Sequence, residues 1–163
     1  MDDCSIIIGD ISLSIYESKQ NILAKLDAAG LDYSEAEPDT PELAAKIDSY
    51  YNMGGCIQIY FLNDVCVRLR LLDVSPEGSY EIAQTTRGIH PASTYSHMLE
   101  LYGDSFETHT YAGKERYTIY RYSFSDCICE FGIPGENSDS IYNVDIYVPS
   151  QYPIYDYGEE IIN

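Results

Sequence analysis

The most reactive side chains in this sequence belong to its five cysteines and three histidines. Cys127 and Cys129 stand two residues apart, so on a strand they share a face, and this C-x-C spacing differs from the C-x-x-C of redox and zinc sites. The cysteine count is odd, and the spacing lacks the density of a small disulfide scaffold. We therefore expect most of the thiols to be reduced and to act as small buried apolar side chains. The five are Cys4, Cys56, Cys66, Cys127 and Cys129.

One arrangement for nucleophilic catalysis stands open, in which His109 is the base for the Cys127 thiol. It requires the two side chains to lie within hydrogen-bond distance, and their spacing does not dictate that. His90, His97 and His109 fall in a loop, on a helix and on a strand, so they predict no shared metal site. The loop at 135–139 offers oxygen ligands for calcium, but it lacks the alternation of an EF-hand loop, and a plain turn is favoured.

Common catalytic motifs are absent from the sequence. It contains no P-loop, no dinucleotide-binding glycine pattern, no His-Glu-x-x-His and no Gly-x-Ser-x-Gly. These absences favour a protein that is not an enzyme and that uses no cofactor and no metal.

Charge narrows the class of partner. The 163 residues include 27 acidic and 9 basic side chains, for a net charge of −18, and no Lys or Arg follows Arg121. Such a chain repels nucleic acids and anionic membrane surfaces, so we expect a protein partner, and this charge favours a basic one. The sequence has no apolar run of about 18 residues and no charged-then-apolar leader. It therefore predicts neither a membrane-spanning segment nor an export signal in the chain as given, which leaves two alternatives, a cytosolic protein or one whose leader has been removed.

The two halves of the sequence repeat one order of elements. Gly9-Asp10-Ile11 precedes a predicted helix and a hairpin in the first half, and Arg87-Gly88-Ile89, 78 residues later, precedes the same elements in the second. A repeat this long exceeds a solenoid unit of roughly 20–50 residues and predicts duplication of a small α+β unit. The predicted divisions are a first repeat at 1–86, a second at 87–148 and an acidic, tyrosine-rich tail at 149–163.

Capping residues and glycines delimit the predicted helices. Apolar residues at helical spacing run from 18 to 29, where Gly30 is suited to end the helix in the left-handed conformation. A capping box at 14–17 offers a competing start, but the start at Ser18 is favoured because it aligns with Thr94 in the second half. The predicted helices span 18–29, about 41–48 and 94–102.

Alternation with a period of two predicts the strands. The first hairpin spans 57–61 and 65–71 with a three-residue loop, which sets Phe61 opposite Val65. The second spans 117–124 and 127–133 and turns at 125–126, and a closing strand at 141–148 has a counterpart at 80–85. The predicted fold is α+β, with two tandem repeats, each of one or two helices and an antiparallel meander of three or four strands. Its helices cover one face of a curved sheet, and the other face is at least partly open.

The open face supplies the predicted binding site. The chain has 17 tyrosines and no tryptophan, and tyrosine offers large contact area at low entropy cost, which suits interfaces. Several tyrosines lie at core-facing positions, whereas others alternate onto the opposite face together with charged residues. A merely solvated face is the alternative interpretation of this mixed set. The candidate binding residues are Tyr60, Arg68, Arg70, Tyr117, Arg121, Glu130, Asp145 and Tyr147.

This order of parts resembles the small α+β repeat of β-lactamase inhibitory proteins and of the related SmpA/OmlA-type envelope lipoproteins. The resemblance is carried by 9–26, 87–89, 94–103 and the hairpin turns at 63–64 and 125–126. It implies two tandem units in one curved sheet, export to the cell envelope or exterior, no cofactor, and function by protein binding. No inhibitory residue matches by position, and the paired disulfides of the inhibitors are not evident.

The sequence therefore predicts a non-catalytic protein-binding module of the cell envelope or exterior that uses the open face of its sheet. Two alternatives stand beside it. One is a small thiol-dependent enzyme built on Cys127, Cys129 and His109, and the other is a structural surface protein that self-associates through an exposed sheet edge.

Overall fold

The computed structural model describes residues 2–74, 83–113, 115–135, 138–151 and 159–161. Within these ranges the chain forms three α-helices and twelve strands. The helices are α1 (Lys19–Ala28), α2 (Pro41–Ala44) and α3 (Tyr95–Tyr102). The strands are β1 (Ser5–Ile8), β2 (Ile11–Ser14), β3 (Ser34–Ala36), β4 (Ser49–Met53), β5 (Ile57–Leu62), β6 (Val65–Leu72), β7 (Ala83–Thr85), β8 (Glu107–Ala112), β9 (Arg116–Ser123), β10 (Ile128–Pro134), β11 (Asn143–Tyr147) and β12 (Glu159–Glu160).

The described strands form two antiparallel sheets. Nine strands pair in the order β12-β8-β9-β10-β11-β6-β5-β4-β3, and three pair in the order β2-β1-β7. The larger sheet joins the two halves of the sequence, because β11 pairs with β10 on one side and with β6 on the other. The predicted α+β class with antiparallel sheets is confirmed.

Helices α1 and α3 contribute to one apolar core. Ile22 and Leu26 of α1 are fully buried, as is Met98 of α3. The ring of Tyr102, at the end of α3, lies 5.0 Å from Phe131 on β10, centroid to centroid. Because these side chains recur every three or four residues, burial of one stripe explains why these segments are helical.

The helix caps lie where the sequence predicts them. The Ser18 side chain accepts a hydrogen bond from the Asn21 N–H, and the Thr94 side chain accepts one from His97. The Ser14 N–H donates to a carboxylate oxygen of Glu17 at 3.0 Å, so the competing capping box forms a local bond just before the helix without starting it. Helix α2 is shorter than predicted, since it ends at residue 44.

The predicted three-residue loop of the first hairpin is wrong. Leu62 pairs with Val65 across a two-residue turn, and both turn residues, Asn63 and Asp64, have positive φ angles of 52° and 59°. The register then shifts between residues 60 and 61. This irregularity returns the apolar residues of both strands to the same face, which a straight two-residue hairpin would not do.

The positive φ at Asp64 predicts a stabilising substitution. Two-residue hairpin turns of this type favour glycine at the second position, since an L side chain is strained there. We expect Asp64→Gly to raise the free energy of unfolding by roughly 0.5–1 kcal/mol in urea denaturation. Asp73→Gly is the matched control, because Asp73 is also exposed but does not have a positive φ, and it should lose stability. Equal effects of the two substitutions would contradict the turn assignment.

Other predicted strands are found with modified bounds. Tyr122 pairs with Cys129 and Tyr120 with Phe131, which confirms the predicted register of the second hairpin. Within the predicted 80–85 strand, residues 83–85 form β7 and pair with β1, while 80–82 lie outside the described residues. In the tail, the side-chain amide of Gln151 donates to the Lys46 carbonyl at 2.9 Å, and β12 pairs with β8.

Candidate functional site

A row of polar side chains crosses one face of the larger sheet. Register alignment places one such residue from each of eight neighbouring strands side by side. All eight candidate binding residues from the sequence lie on this face, either in the row or an even number of positions from it. The alternation pattern therefore predicted correctly that these residues share one face. The row, called the polar row below, consists of Ser34, Asn52, Gln58, Arg70, Asp145, Glu130, Arg121 and Glu107.

Asp145 is the centre of one charged cluster in this row. Its Oδ1 lies 2.8 Å from Nη2 of Arg68 and 3.4 Å from Nη1 of Arg70, and it is fully buried. Its Oδ2 accepts a hydrogen bond of 2.6 Å from the Asn143 amide, whose own oxygen accepts one from the Tyr117 hydroxyl. One carboxylate thus compensates two buried guanidinium groups.

A glycine makes this cluster sterically possible. Gly132 lies on β10 between Asn143 of β11 and Ile119 of β9. A Cβ atom at residue 132 would collide with the Asn143 amide and with the Tyr117 ring. The absence of a side chain there lets Tyr117 reach Asn143 across the strand.

Glu130 is the centre of the second cluster. Its Oε1 lies 3.2 Å from Nε of Arg121 and accepts a hydrogen bond from the Tyr147 hydroxyl. Burial, together with the neighbouring carboxylate of Glu130, raises the pKa of Tyr147, so this phenol stays protonated. Arg121 also donates to Nε2 of His109 at 3.1 Å, and Nδ1 of His109 lies 2.7 Å from Glu160.

The face that carries these residues is buried where the sequence predicted it to be open. Seven of the eight candidate side chains are at most 9 % exposed, and the eighth, Tyr117, is half-buried. Their charged ends turn towards one another instead of towards solvent, and the Arg68 guanidinium lies 4.7 Å from the centroid of the Tyr147 ring. Alternation identifies the residues that share a face, but it does not say whether that face is covered.

The cysteines differ from expectation at one pair. Cys4 and Cys127 form a disulfide across 123 residues of sequence, with their Cα atoms 5.8 Å apart. The prediction that most thiols are reduced holds for the remaining three, of which Cys66 and Cys129 are fully buried. Burial raises the pKa of both buried thiols, which disfavours the nucleophilic thiolate. Because Cys127 is bonded to Cys4, no thiol at this position faces His109.

Neither metal ligation nor membrane crossing has structural support in the described residues. Within them, no group of three or more His, Cys, Asp or Glu side chains has the arrangement of a metal site. The predicted loop at 135–139 is described except at 136 and 137. No helix in the described ranges is long and apolar enough to cross a membrane.

Sequence reasoning missed several members of the polar row and of its two clusters. Asn143 lies two positions from Asp145 on β11, and Gln58 lies two positions from Tyr60 on β5, so each shares a sheet face with its neighbour. This alternation is the sequence feature from which both residues could have been predicted. His109 was assigned to a strand, but its contact with Arg121 depends on the pairing of β8 with β9, which no local pattern specifies.

The exposed charge of the protein is predominantly negative. Most described basic side chains contact acids, aromatic rings or carbonyls, for example Lys25 with Glu17 and Arg87 with Asp3. In contrast, residues 27–42 contain six exposed acids and no basic residue, and they include β3, which is an edge of the larger sheet. We call this segment the acidic edge. Its acids are Asp27, Asp32, Glu35, Glu37, Asp39 and Glu42.

Comparison of the chain with protein-family models, with curated proteins and with solved structures finds no match. The likeness to β-lactamase inhibitory proteins stays a prediction from the sequence.

Proposed function

We propose that this protein is a non-catalytic protein-binding module of the cell envelope or exterior, and that it binds a basic partner. The observation that carries the proposal is the segregation of charge. Basic side chains are largely turned onto internal partners, such as Arg68 on Asp145, while the acidic edge is exposed. A surface of this kind attracts a positively charged protein and speeds its association.

The disulfide supports an exported location. Disulfides persist in oxidising compartments, whereas cytosolic thiols are usually kept reduced. The Cys4–Cys127 bond ties the start of β1 to the turn between β9 and β10, so it links segments that are distant in sequence. This use is typical of a structural disulfide in a secreted domain.

We also propose that the fold arose by tandem duplication, with α1 and α3 on one face of the larger sheet. Apart from β12 at one edge, the larger sheet consists of two series of four strands. Counted inward from the two edges, these are β8-β9-β10-β11 and β3-β4-β5-β6, and they meet at the β11–β6 pair. Since neighbouring strands are antiparallel, a half-turn about the sheet normal exchanges the two series. This order supports β5–β6 as the counterpart of β10–β11, whereas the sequence alone suggested β9–β10.

The placement of both helices on one face is supported by their contacts with the sheet. Lys19 of α1 contacts Tyr51 of β4, and Tyr102 of α3 contacts Tyr122 of β9, and these two strand positions share one face.

The burial of seven of the eight candidate binding residues shifts the proposed binding surface from the sheet face to the acidic edge. Groups that already compensate one another gain little from a partner and would first have to lose their internal bonds. The eight predicted binding residues nevertheless stay testable. The test is capture of a partner from culture supernatant or envelope extract. If the partner contacts these residues, variants that keep the fold, such as Tyr60→Phe and Tyr117→Phe, should no longer capture it.

Salt dependence of association tests the proposed function. We expect the association rate constant with the captured partner to fall at least about tenfold between about 20 mM and about 500 mM NaCl, because salt screens exposed charges. The measurement is surface plasmon resonance or stopped-flow fluorescence across this salt series.

A matched pair of variants locates the effect. Glu35→Gln with Glu37→Gln removes two charges from the acidic edge, and Glu100→Gln with Asp104→Asn removes two exposed charges near the end of α3. The first pair should slow association several-fold more than the second. A rate that is insensitive to salt, or equal effects of the two pairs, would contradict binding through the acidic edge.

A further inference from the structure

We propose that a cleft beside Gly9 binds an arginine side chain of the partner protein. This inference rests on the proposed function, since it specifies which chemistry of a basic partner is recognised and where. The cleft lies between the β1–β2 turn and the end of α1, and its volume is about 580 Å³.

The walls of the cleft suit a side chain with an aliphatic stem and a cationic end. Ile8, Ile11 and Leu31 supply apolar surface. Asp10, at the rim, is exposed and makes no ion pair among the described residues. The residues 28–29 at the end of α1 also line it, and the carbonyl end of a helix carries negative partial charge.

Lys25 also lines the cleft, but its charge is already compensated. Its ammonium group pairs with the Glu17 carboxylate and donates a hydrogen bond of 2.8 Å to the Ser12 carbonyl. It therefore leaves the Asp10 carboxylate to an incoming cation.

The second half of the chain shows the same kind of site with an arginine in it. Arg87 aligns with Gly9 at the repeat spacing of 78 residues, and it lies eight residues before α3 where Gly9 lies ten residues before α1. Its guanidinium donates to the Leu101 carbonyl in the last turn of α3 at 3.1 Å. It binds both carboxylate oxygens of Asp3 at 2.6 and 2.8 Å, and it lies 4.7 Å from the centroid of the Tyr102 ring.

Residue 9 explains why the first site is open. Glycine has no side chain to place against the end of α1, whereas Arg87, which aligns with Gly9 in sequence, binds the end of α3 from within the chain. A guanidinium from a partner would find in the first half the same chemistry, namely a carboxylate, a helix carbonyl end and an apolar wall. The planar guanidinium binds a carboxylate through two parallel N–H groups, which the ammonium of lysine cannot do, so arginine is the expected occupant.

Side-chain analogues test the site without requiring the natural partner. In ¹H–¹⁵N spectra of the labelled protein, butylguanidinium should shift the amide signals of Gly9, Asp10 and Gly30 saturably, with a dissociation constant on the order of 1–10 mM. Butylammonium should bind at least about threefold more weakly, and the neutral isostere butylurea should cause no saturable shift at these amides.

Three variants complete the test. Asp10→Asn should weaken butylguanidinium binding at least about threefold, whereas Glu100→Gln, which removes one exposed charge elsewhere, should leave it unchanged. Gly9→Arg should abolish it by placing a side chain in the cleft. Because Gly9 has a positive φ of 57°, which strains an L residue, circular dichroism must show that this variant is folded. The proposal is overturned if the three amides do not shift, if butylurea or butylammonium binds as well as butylguanidinium, or if Asp10→Asn has no effect.

The two proposals fail separately. If butylguanidinium binds as expected but association with the captured partner is insensitive to salt, the cleft stands as an arginine site and the acidic edge fails as the partner's surface. If association is sensitive to salt and to the acidic-edge variants while butylguanidinium does not bind, the cleft proposal alone is overturned.

Discussion

Asp145→Asn is expected to lower the free energy of unfolding by about 3–5 kcal/mol, the range for removing one partner of a buried ion pair. The carboxylate is fully buried, and it contacts Arg68 at 2.8 Å and Arg70 at 3.4 Å. Asparagine preserves the size and one acceptor, but it removes the charge that compensates two guanidinium groups. Urea denaturation followed by circular dichroism measures the loss.

Two controls separate this effect from general charge removal. Asp10→Asn removes an exposed carboxylate, and the expected change is within about 0.5 kcal/mol. Arg68→Met combined with Asp145→Asn should be less destabilised than the sum of the single changes, with a coupling energy of about 1–3 kcal/mol. Strictly additive effects would contradict a direct Arg68–Asp145 interaction.

The salt dependence of stability gives an independent check. A buried pair is screened little by dissolved ions, so the loss caused by Asp145→Asn should be nearly the same at low and high salt. A loss that vanishes at high salt would indicate that Asp145 is solvent-accessible. Alanine variants of the buried Arg68 or Arg121 are unsuitable for binding assays, because their loss of binding would reflect loss of the fold.

Local features of the fold were predictable from the sequence. The caps at Ser18 and Thr94 were predicted because a capping bond involves residues three apart, so both partners are visible in a short window. The shared face of Arg70, Asp145 and Glu130 was predictable for a similar reason, since strand alternation is a property of each strand alone.

Features that depend on distant parts of the chain were not predictable. The register shift between Tyr60 and Phe61 depends on which face of β6 is buried in the fold. Without this shift, only a loop of three residues aligns the apolar residues of the two strands, so the predicted loop is one residue too long. Burial of the charged residues at the centre of the polar row, such as Asp145 and Glu130, depends on tertiary packing, which alternation does not report. Arg87 is visible in the sequence, but its contacts are not. Asp3 lies 84 residues away and Leu101 lies 14 residues away, and only the folded chain brings them to the guanidinium.

The Cys4–Cys127 disulfide is the second feature with a large expected effect. Reduction, or the double substitution Cys4→Ser with Cys127→Ser, should lower the free energy of unfolding by about 2–5 kcal/mol. The physical reason is the long loop that the bond closes, whose ends are 123 positions apart in sequence, which restricts the unfolded chain. The chain-entropy relation gives about 5 kcal/mol for a loop of that size, and native-state strain or residual structure reduces the observed value.

Thiol counting and urea denaturation together measure this effect. Protein purified without reductant and then denatured should react with iodoacetamide at three cysteines, and reduced protein at five. Cys56→Ser is the matched control, because Cys56 is a free thiol that is only partly buried, and we expect it to change stability by less than about 1 kcal/mol.

The outcome also bears on where the protein acts. If the bond is present in protein isolated from its native compartment, the N-terminal strands are held to the larger sheet by a bond that persists in oxidising compartments, and the proposed location outside the cytosol gains support. If all five thiols react in protein isolated from its native compartment, the disulfide does not form there. In that case Cys127 is a thiol two residues from buried Cys129, and the exterior location loses its main structural argument.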